Sequence, residues 1–506
     1  MAGIINLFNE GLKYLAEGSQ AFLLQRFKEI NSQLGDSERT REMQEKEIYY
    51  LGLQHERKRI GWDGRELPKR ENRSSMYENP TSLNPITGVS WVYRKPWISY
   101  NLCHAIVSRF TAMLFGASSR PLIKVQGVEP VELLNEVWKQ CAWWQKWRLA
   151  RDYGGALGTV VVGVRLFEGQ PRVDVLKGYW CNPVWKDGDK DTRELERLEI
   201  LFKRPIAGVY PVKEEWYLRI IDGTVDIVAT SPVNPDKKQN WEIQSAVEHN
   251  LGFVPYVWIQ NDDLLGSEDG LADCEGVYDL LDAIDALLSD AFQAIHYNAD
   301  PTLIIKTIRD LSGINTGSTV ALQLGLDEDA KFLELEGSGA KMAIELAMQL
   351  RDAVLQTTRC LLQDVNPSGR TATEIQKLSE SMYQRVDEFR DTYGEGISRV
   401  AEYLFRLIAK AQGALKPPLD QLKVDIDKLR VEVDWPPHIA PTTQEKQQSL
   451  AIITGAKAAG LISEETAIRK AAHILDIENV DKEIELLKQK EEEYPLPLDK
   501  QALGHE

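Results

Sequence analysis

Eighteen uninterrupted apolar residues occur nowhere in this chain, so no transmembrane helix is expected. Cysteine is scarce: Cys103, Cys141, Cys181, Cys274 and Cys360 stand far apart, with no C-x-x-C pair. That pattern excludes a disulfide framework or zinc module and points to reduced, buried thiols. The start, "MAGIINLFNEGLKYLAEG", lacks the basic segment and small-residue cleavage site of a secretory leader. No G-x-x-x-x-G-K-[ST], G-x-S-x-G or H-E-x-x-H string is present. A P-loop motor, a hydrolase elbow and a zinc protease are therefore disfavoured. "GSGAKM" at Gly337 is only superficially like a phosphate loop, and no cofactor is implied. The histidines are scattered; His296 alone invites a functional test.

Positive charge is also missing where it counts. From Gln239 to Ile305 there is no Lys or Arg, yet these 67 residues hold thirteen Asp and Glu, within a chain of formal net charge −17. A basic footprint for wrapping nucleic acid is absent. The centre of this window, "DCEGVYDLLDAIDALLSDAFQAIHYN", is an amphipathic helix, with Val277, Leu280, Leu281, Ile284, Leu287, Leu288, Ala291, Phe292 and Ile295 at helical steps. In a lone monomer its acids make a solvated face. In a ring they make a wall that does not bind a polyanion, where Lys or Arg would trap it by counterion release.

What is present fills 506 residues, enough for roughly three domains, at 43% hydrophobic and 27% charged. No internal repeat is found. The N-terminal region reads as helices, with Asp36 or Ser37 as a cap. "HERKRIGWDGRELPKRENR" reads as a basic solvated loop or a docking surface. "NLCHAIVSRFTAMLFGAS" is a helix ending near Gly116, and "VELLNEVWKQCAWWQKWRLARDYGGALG" is another. In the latter, Trp138, Trp143, Trp144 and Trp147 interleave with Lys146, Arg148 and Arg151. Tryptophans at that spacing pack cores, with base stacking as the other reading. A β-rich block follows, with a turn at "EGQP" and a hairpin at Asp222-Gly223. Asp187, Asp189 and Asp191 lie in a hairpin turn rather than a calcium loop, because the glycine is misplaced.

Beyond the acidic helix come short strands, and then "AKMAIELAMQLRDAVLQTTRCLLQ", apolar almost all round. The loop "QDVNPSGR" leads into a helix of about forty residues, roughly 60 Å long at 1.5 Å per residue. Thr371 and Glu374 form its capping box. Its apolar positions run Ile375, Leu378, Met382, Val386, Phe389, Tyr393, Ile397, Val400, Leu404 and Ile408. This is a period near 3.67, that of a straight rod, which Gly394 and Gly396 invite to bend. "LRVEVDW" reads as one more strand. The tail is a set of short helices with Thr442 and Glu445 as a second capping box, Gly460 as a stop and Ser463 as a cap.

This α+β, mostly helical order of elements resembles the portal proteins of tailed double-stranded-DNA bacteriophages. "NLCHAIVSRFTAMLFG", "HNLGFVPYVWIQND", "GSEDGLADCEGVYDLLDAIDALLSD" and "AGLISEETAIRKAAHI" are the similar segments, within residues 90–475. The resemblance implies a wing (1–265, with a long wing helix and returning strand over 372–436), stem helices at 266–297 and 340–362, a clip at 298–339, a tunnel loop at 363–371 and a helical crown at 437–506. It implies a homo-oligomeric ring, a dodecamer, in the virion, assembled in the host cytoplasm. Double-stranded DNA would pass through the ring. Terminase, head–tail adaptor, major capsid and scaffolding proteins would be its partners, and no membrane is implied. Gln363, Asp364, Val365, Asn366, Pro367, Ser368, Gly369 and Arg370 would face DNA, and Asp279, Asp282, Asp285 and Asp290 would form an acidic tunnel wall. A non-enzymatic structural role is expected. A virion adaptor or minor head protein is the alternative, and a packaging enzyme is the more remote one.

Overall fold

The computed structural model describes residues 25–35, 37–55, 98–188, 194–206, 213–232, 241–264, 266–299, 302–306, 329–333, 338–362, 372–411, 415–438, 443–474 and 484. Outside them lie the basic stretch after His55, Asp36, Asp189, Asp191, the loop 363–371 with Thr371, and Thr442. The chain divides into two compact units, Met1–Trp435 and Pro436–Glu506.

In the first unit, α1 (Glu38–Leu51) has the N-cap Ser37, which accepts from the Thr40 amide. Helix α2 (Leu102–Phe115) is capped by Asn101. Strands β1 (Leu122–Gln126) and β2 (Val128–Glu129) follow. The tryptophan-rich segment, read as one helix, is two: α3 (Leu134–Gln140) and α4 (Trp143–Leu157). The break falls at Ala142, which is left-handed at φ 50°, so the two axes need not align.

Strands β3 (Thr159–Phe167) and β4 (Gln170–Lys177) form the hairpin expected at "EGQP". Then β5 (Cys181–Trp185), β6 (Leu195–Pro205), β7 (Glu214–Asp222), β8 (Val225–Pro232) and β9 (Glu242–Glu248) make an antiparallel five-stranded meander. The turn between β7 and β8 is fixed by Asp222, whose Oδ1 accepts from the amides of Thr224 and Val225. Strand β10 (Tyr256–Gln260) joins a different sheet, in the order β10-β3-β4.

Helix α5 (Tyr278–Ala299) leads to the antiparallel pair β11 (Thr302–Lys306) and β12 (Asp329–Leu333), and α6 (Ser338–Thr357) returns beside α5. Helix α7 (Ala372–Lys410) runs unbroken for 39 residues. Strands β13 (Lys423–Val424) and β14 (Arg430–Asp434) pair with β2 and β1. The second unit holds α8 (Thr443–Ala458) and α9 (Glu464–Ile474). Gly460 lies between them at φ +69°, and Ser463 Oγ accepts from the Thr466 amide.

Helix α7 is the axis of the main core. Met382, Val386, Phe389, Tyr393, Ile397, Val400, Leu404 and Ile408 are each at most 2% exposed. Ile375 and Leu378 fall outside the described side chains. The helix continues through Gly394 and Gly396, and both glycines serve close packing. A Cβ at Gly396 would lie 2.7 Å from Ile259 Cδ1, and one at Gly394 would lie 3.1 Å from Trp435 Nε1.

Strand β3 is buried on both faces, with period-two sorting. Val160, Val162 and Val164 join the α7 core, while Val161 joins a second core with Tyr256, Trp258, Trp180 and Ile200. A third core sets Phe27, Ile30 and Leu34 of a helical stretch at 25–34 on Leu218, Ile220 and Trp241. Arg219 bridges the two sheets. It donates to Asp226 Oδ2 at 2.8 Å and to Tyr256 Oη at 2.5 Å, and that hydroxyl donates to Asp174. Trp143 and Trp147 are fully buried, Trp138 lies 4.5 Å from Trp143 by ring centroids, and packing is their role.

A Cβ at Gly154 would stand 2.0 Å from Tyr393 Oη. Gly154→Ala is therefore expected to lose about 2 kcal/mol by overpacking. Urea unfolding followed by circular dichroism would measure it, and an unchanged midpoint would contradict the close approach of α4 and α7.

Candidate functional site

The acidic run is not a uniform wall. Much of it meets cations drawn from distant parts of the chain. Asp269 takes Arg39 through two hydrogen bonds, at 2.5 and 2.9 Å. Glu275 meets Lys46 at 2.7 Å, and Asp262 meets Arg385 of α7 at 3.5 Å. Asp273 meets Arg151 of α4 at 3.0 Å, with both side chains fully buried. The window that lacks Lys and Arg in sequence acquires them by folding.

The acids of α5 divide by helical angle. At 100° per residue, Asp279 and Asp290 fall about 20° apart on one face. Both are exposed. Asp282 is half-buried, and both of its oxygens lie 3.0 Å from Tyr49 Oη. Asp285 is 1% exposed and accepts from Gln54 Nε2 at 2.8 Å, the Tyr100 amide at 2.7 Å and His55 Nε2 at 2.8 Å. The expectation that Asp285 forms part of an acidic tunnel wall is therefore corrected. Its carboxylate anchors α5 to the segments at 54–55 and 98–100. Ser289 assists by accepting from the Ile98 amide at 3.2 Å. The signal was in the sequence: Asp285 sits four residues after Leu281 and three before Leu288, on the apolar stripe.

The root of α5 is a buried polar knot. Arg151 Nη2 donates to both oxygens of Asp273, at 3.1 and 3.0 Å. Asn261 Nδ2 donates to Asp273 Oδ1 at 3.0 Å, and Tyr393 Oη of α7 donates to Asn261 Oδ1 at 3.1 Å. The Arg151 guanidinium stacks 4.2 Å from the Phe389 ring centroid. Burial opposes its charge, but Asp273, Tyr393 and Asp152 together outweigh that penalty and hold Arg151 above its ordinary pKa. The adjacent Gly154 and Gly155 make room for the knot, since a Cβ on Gly155 would lie 2.5 Å from Asp273 Oδ2. Reading Arg151 among the tryptophans gave only a core or a stacking platform. The Gly-Gly pair three residues on was the overlooked sign of a crowded site.

The eight residues Gln363–Arg370 lie outside the described residues. Their flanks are anchored: Leu361 N donates to Met382 Sδ at 3.4 Å, and Arg359 pairs with Glu388 at 3.1 Å. His296 is on α5, but its side chain is outside the described set. Among the described residues no cluster of His, Cys, Asp and Glu is placed to hold a metal ion, and no helix is long and apolar enough to cross a membrane. The five thiols are buried and unbridged, and burial pushes those of Cys141 and Cys360 up to about 12.

A family model described as "Phage portal protein, SPP1 Gp6-like" matches residues 221–495, more than half of the chain and including α5, α6 and α7. The chain belongs to the phage portal protein family. That family is structural and non-enzymatic, consistent with the missing catalytic strings. No curated protein matches the chain. Among solved structures it is similar to a chain in the virion of a native gene transfer agent particle, at 12% identity and TM-score 0.36, covering 72% of this chain and 86% of that one. It is also similar to a chain in the neck of the native particle computed with C12 symmetry, at 13% identity and TM-score 0.35, covering 74% and 92%.

In this portal chain the two roles of the α5 carboxylates separate by mutation. Asp285→Ala strands three donors, one buried and two part-buried, and is expected to cost about 3 kcal/mol. Asp279→Ala, on the exposed face, is expected to stay within about 0.5 kcal/mol of wild type. Equal melting shifts for the two variants in a thermal scan would refute the separation.

Proposed function

We propose that this chain is the portal subunit of a phage-type virion. It would form a ring of about twelve copies at one capsid vertex, through which double-stranded DNA is packaged and later ejected. In this reading the β-rich block, the N-terminal helices and α7 make the wing, and α5 with α6 the stem. Strands β11 and β12 belong to the clip, which receives terminase during packaging and head–tail adaptors afterwards. Residues 363–371 are the loop nearest the DNA, and residues 437–506 are the crown. Major capsid and scaffolding proteins are the expected neighbours during assembly in the host cytoplasm.

The observation that carries the reading is the exposure of apolar side chains on the stem pair. Met342, Leu346 and Met348 of α6 are 69%, 46% and 58% exposed, and Phe292 and Ile295 of α5 are each 50% exposed. At 100° per residue, Met348 points about 160° away from Leu346. Apolar surface on opposite sides of one helix suits a heterologous contact, in which each copy offers a different patch to each neighbour and the rotation closes a ring. The same pair keeps Asp279 and Asp290 in solvent, which supports a lumen that repels phosphate.

Two experiments test this. Purified protein should sediment as a closed ring, with a central hole in negative stain, and Met342→Asp with Leu346→Asp should yield folded monomers. A wild-type monomer would sink the proposal. In a packaging assay, Asp279→Lys with Asp290→Lys should lower the length of DNA packaged several-fold, because lysines hold phosphates through counterion release. Full-length packaging by that variant would remove the acidic-wall part of the reading.

A further inference from the structure

We infer that Asp273 is a mechanical joint, through which the long helix α7 and the stem helix α5 open and close together. Three connections converge on it. Arg151 brings α4, and through its stacking on Phe389 it also brings α7. Asn261 passes on the hydrogen bond from Tyr393 of α7. The Asp273 amide donates to Gly155 O at 2.8 Å, pinning the backbone five residues before Tyr278 begins α5. The same stretch of α7 holds the far end of α6, through Met382 and Glu388. One three-turn segment of α7 thus grips the roots of both stem helices.

Physical chemistry makes this grip all-or-none. The peripheral ties are exposed ion pairs such as Arg359–Glu388, which contribute little and can exchange with water. The Arg151–Asp273 pair is fully buried. Moving the root of α5 alone would part Asp273 from Arg151 in the core. Moving α7 alone would strip the same knot of the Phe389 ring over Arg151 and of the Tyr393 hydrogen bond to Asn261. Each is a larger cost than that of an exposed tie. Local openings of α5 and α7 therefore belong to one cooperative unit, and the coupling is reciprocal. The name of α5 as a stem helix rests on the proposed function; the coupling itself does not.

Hydrogen exchange by mass spectrometry on the full chain tests the joint. Asp273→Asn keeps the shape and removes the charge. It should raise exchange in α5 (Tyr278–Ala299) and in the 382–397 stretch of α7 by a common factor of roughly tenfold or more, with β6, β7 and β8 left near wild-type rates. Arg151→Lys serves if that variant fails to fold, and should move the same two regions. Glu47→Gln is the control: it disrupts another buried pair, Lys177–Glu47 at 2.5 Å, and should leave α5 and α7 unmoved together. Acceleration in only one of the two helices, acceleration shared equally by the five-stranded sheet, or no change at all would each overturn the inference. Exchange is read in whatever oligomeric state the protein adopts, so a failure of the ring proposal would leave this result interpretable.

Discussion

A guanidinium and a carboxylate that water cannot reach, Arg151 and Asp273, fix where the parts of the larger unit meet. Such a pair is a weak source of net stability, because desolvation consumes most of the attraction. Its value is specificity. Any arrangement of α4, the β10–α5 connection and α7 that separates the two charges is excluded at high cost. The aromatic faces of Phe389, Tyr393 and Phe110 around the guanidinium, and the glycines beside it, are consequences of admitting this pair into a packed interior.

The remaining architecture follows the same economy of charge. The chain segregates its acids in sequence and then distributes cations to them in space. Arg39 and Lys46 arrive from α1, Arg151 from α4 and Arg385 from α7. Three of these four ties are long-range links to the N-terminal half of the protein. The acidic window is thereby both an electrostatic surface and the attachment point for the helices that support it. Asp279 and Asp290 keep their exposed face because their helical angle carries them away from those partners.

In the proposed ring, a portal-family chain has to be rigid where it supports and apolar where it meets another copy. The cores around α7 and the two sheets meet the first need, with side chains sorted strictly by period along β3 and α7. In that proposal α5 and α6 meet the second need, since α6 leaves methionine and leucine in solvent.

Local periodicity determined a great deal. The spacing of Met382 through Ile408 placed the long helix and its buried stripe, and the turn at "EGQP" and Asp222-Gly223 each placed a hairpin. The order of these elements was enough to suggest the family. The sequence could not divide the tryptophan-rich helix at Ala142, because a left-handed residue without glycine leaves no compositional mark. It marked Asp285 off from Asp279 only by its place on the apolar stripe, and did not say which groups would satisfy the buried carboxylate. It was also silent on the partnership of Arg151 with Asp273, which lie 122 positions apart. Period and propensity act over a few residues, whereas the burial of a charge depends on which distant segment covers it, and only the folded chain decides that.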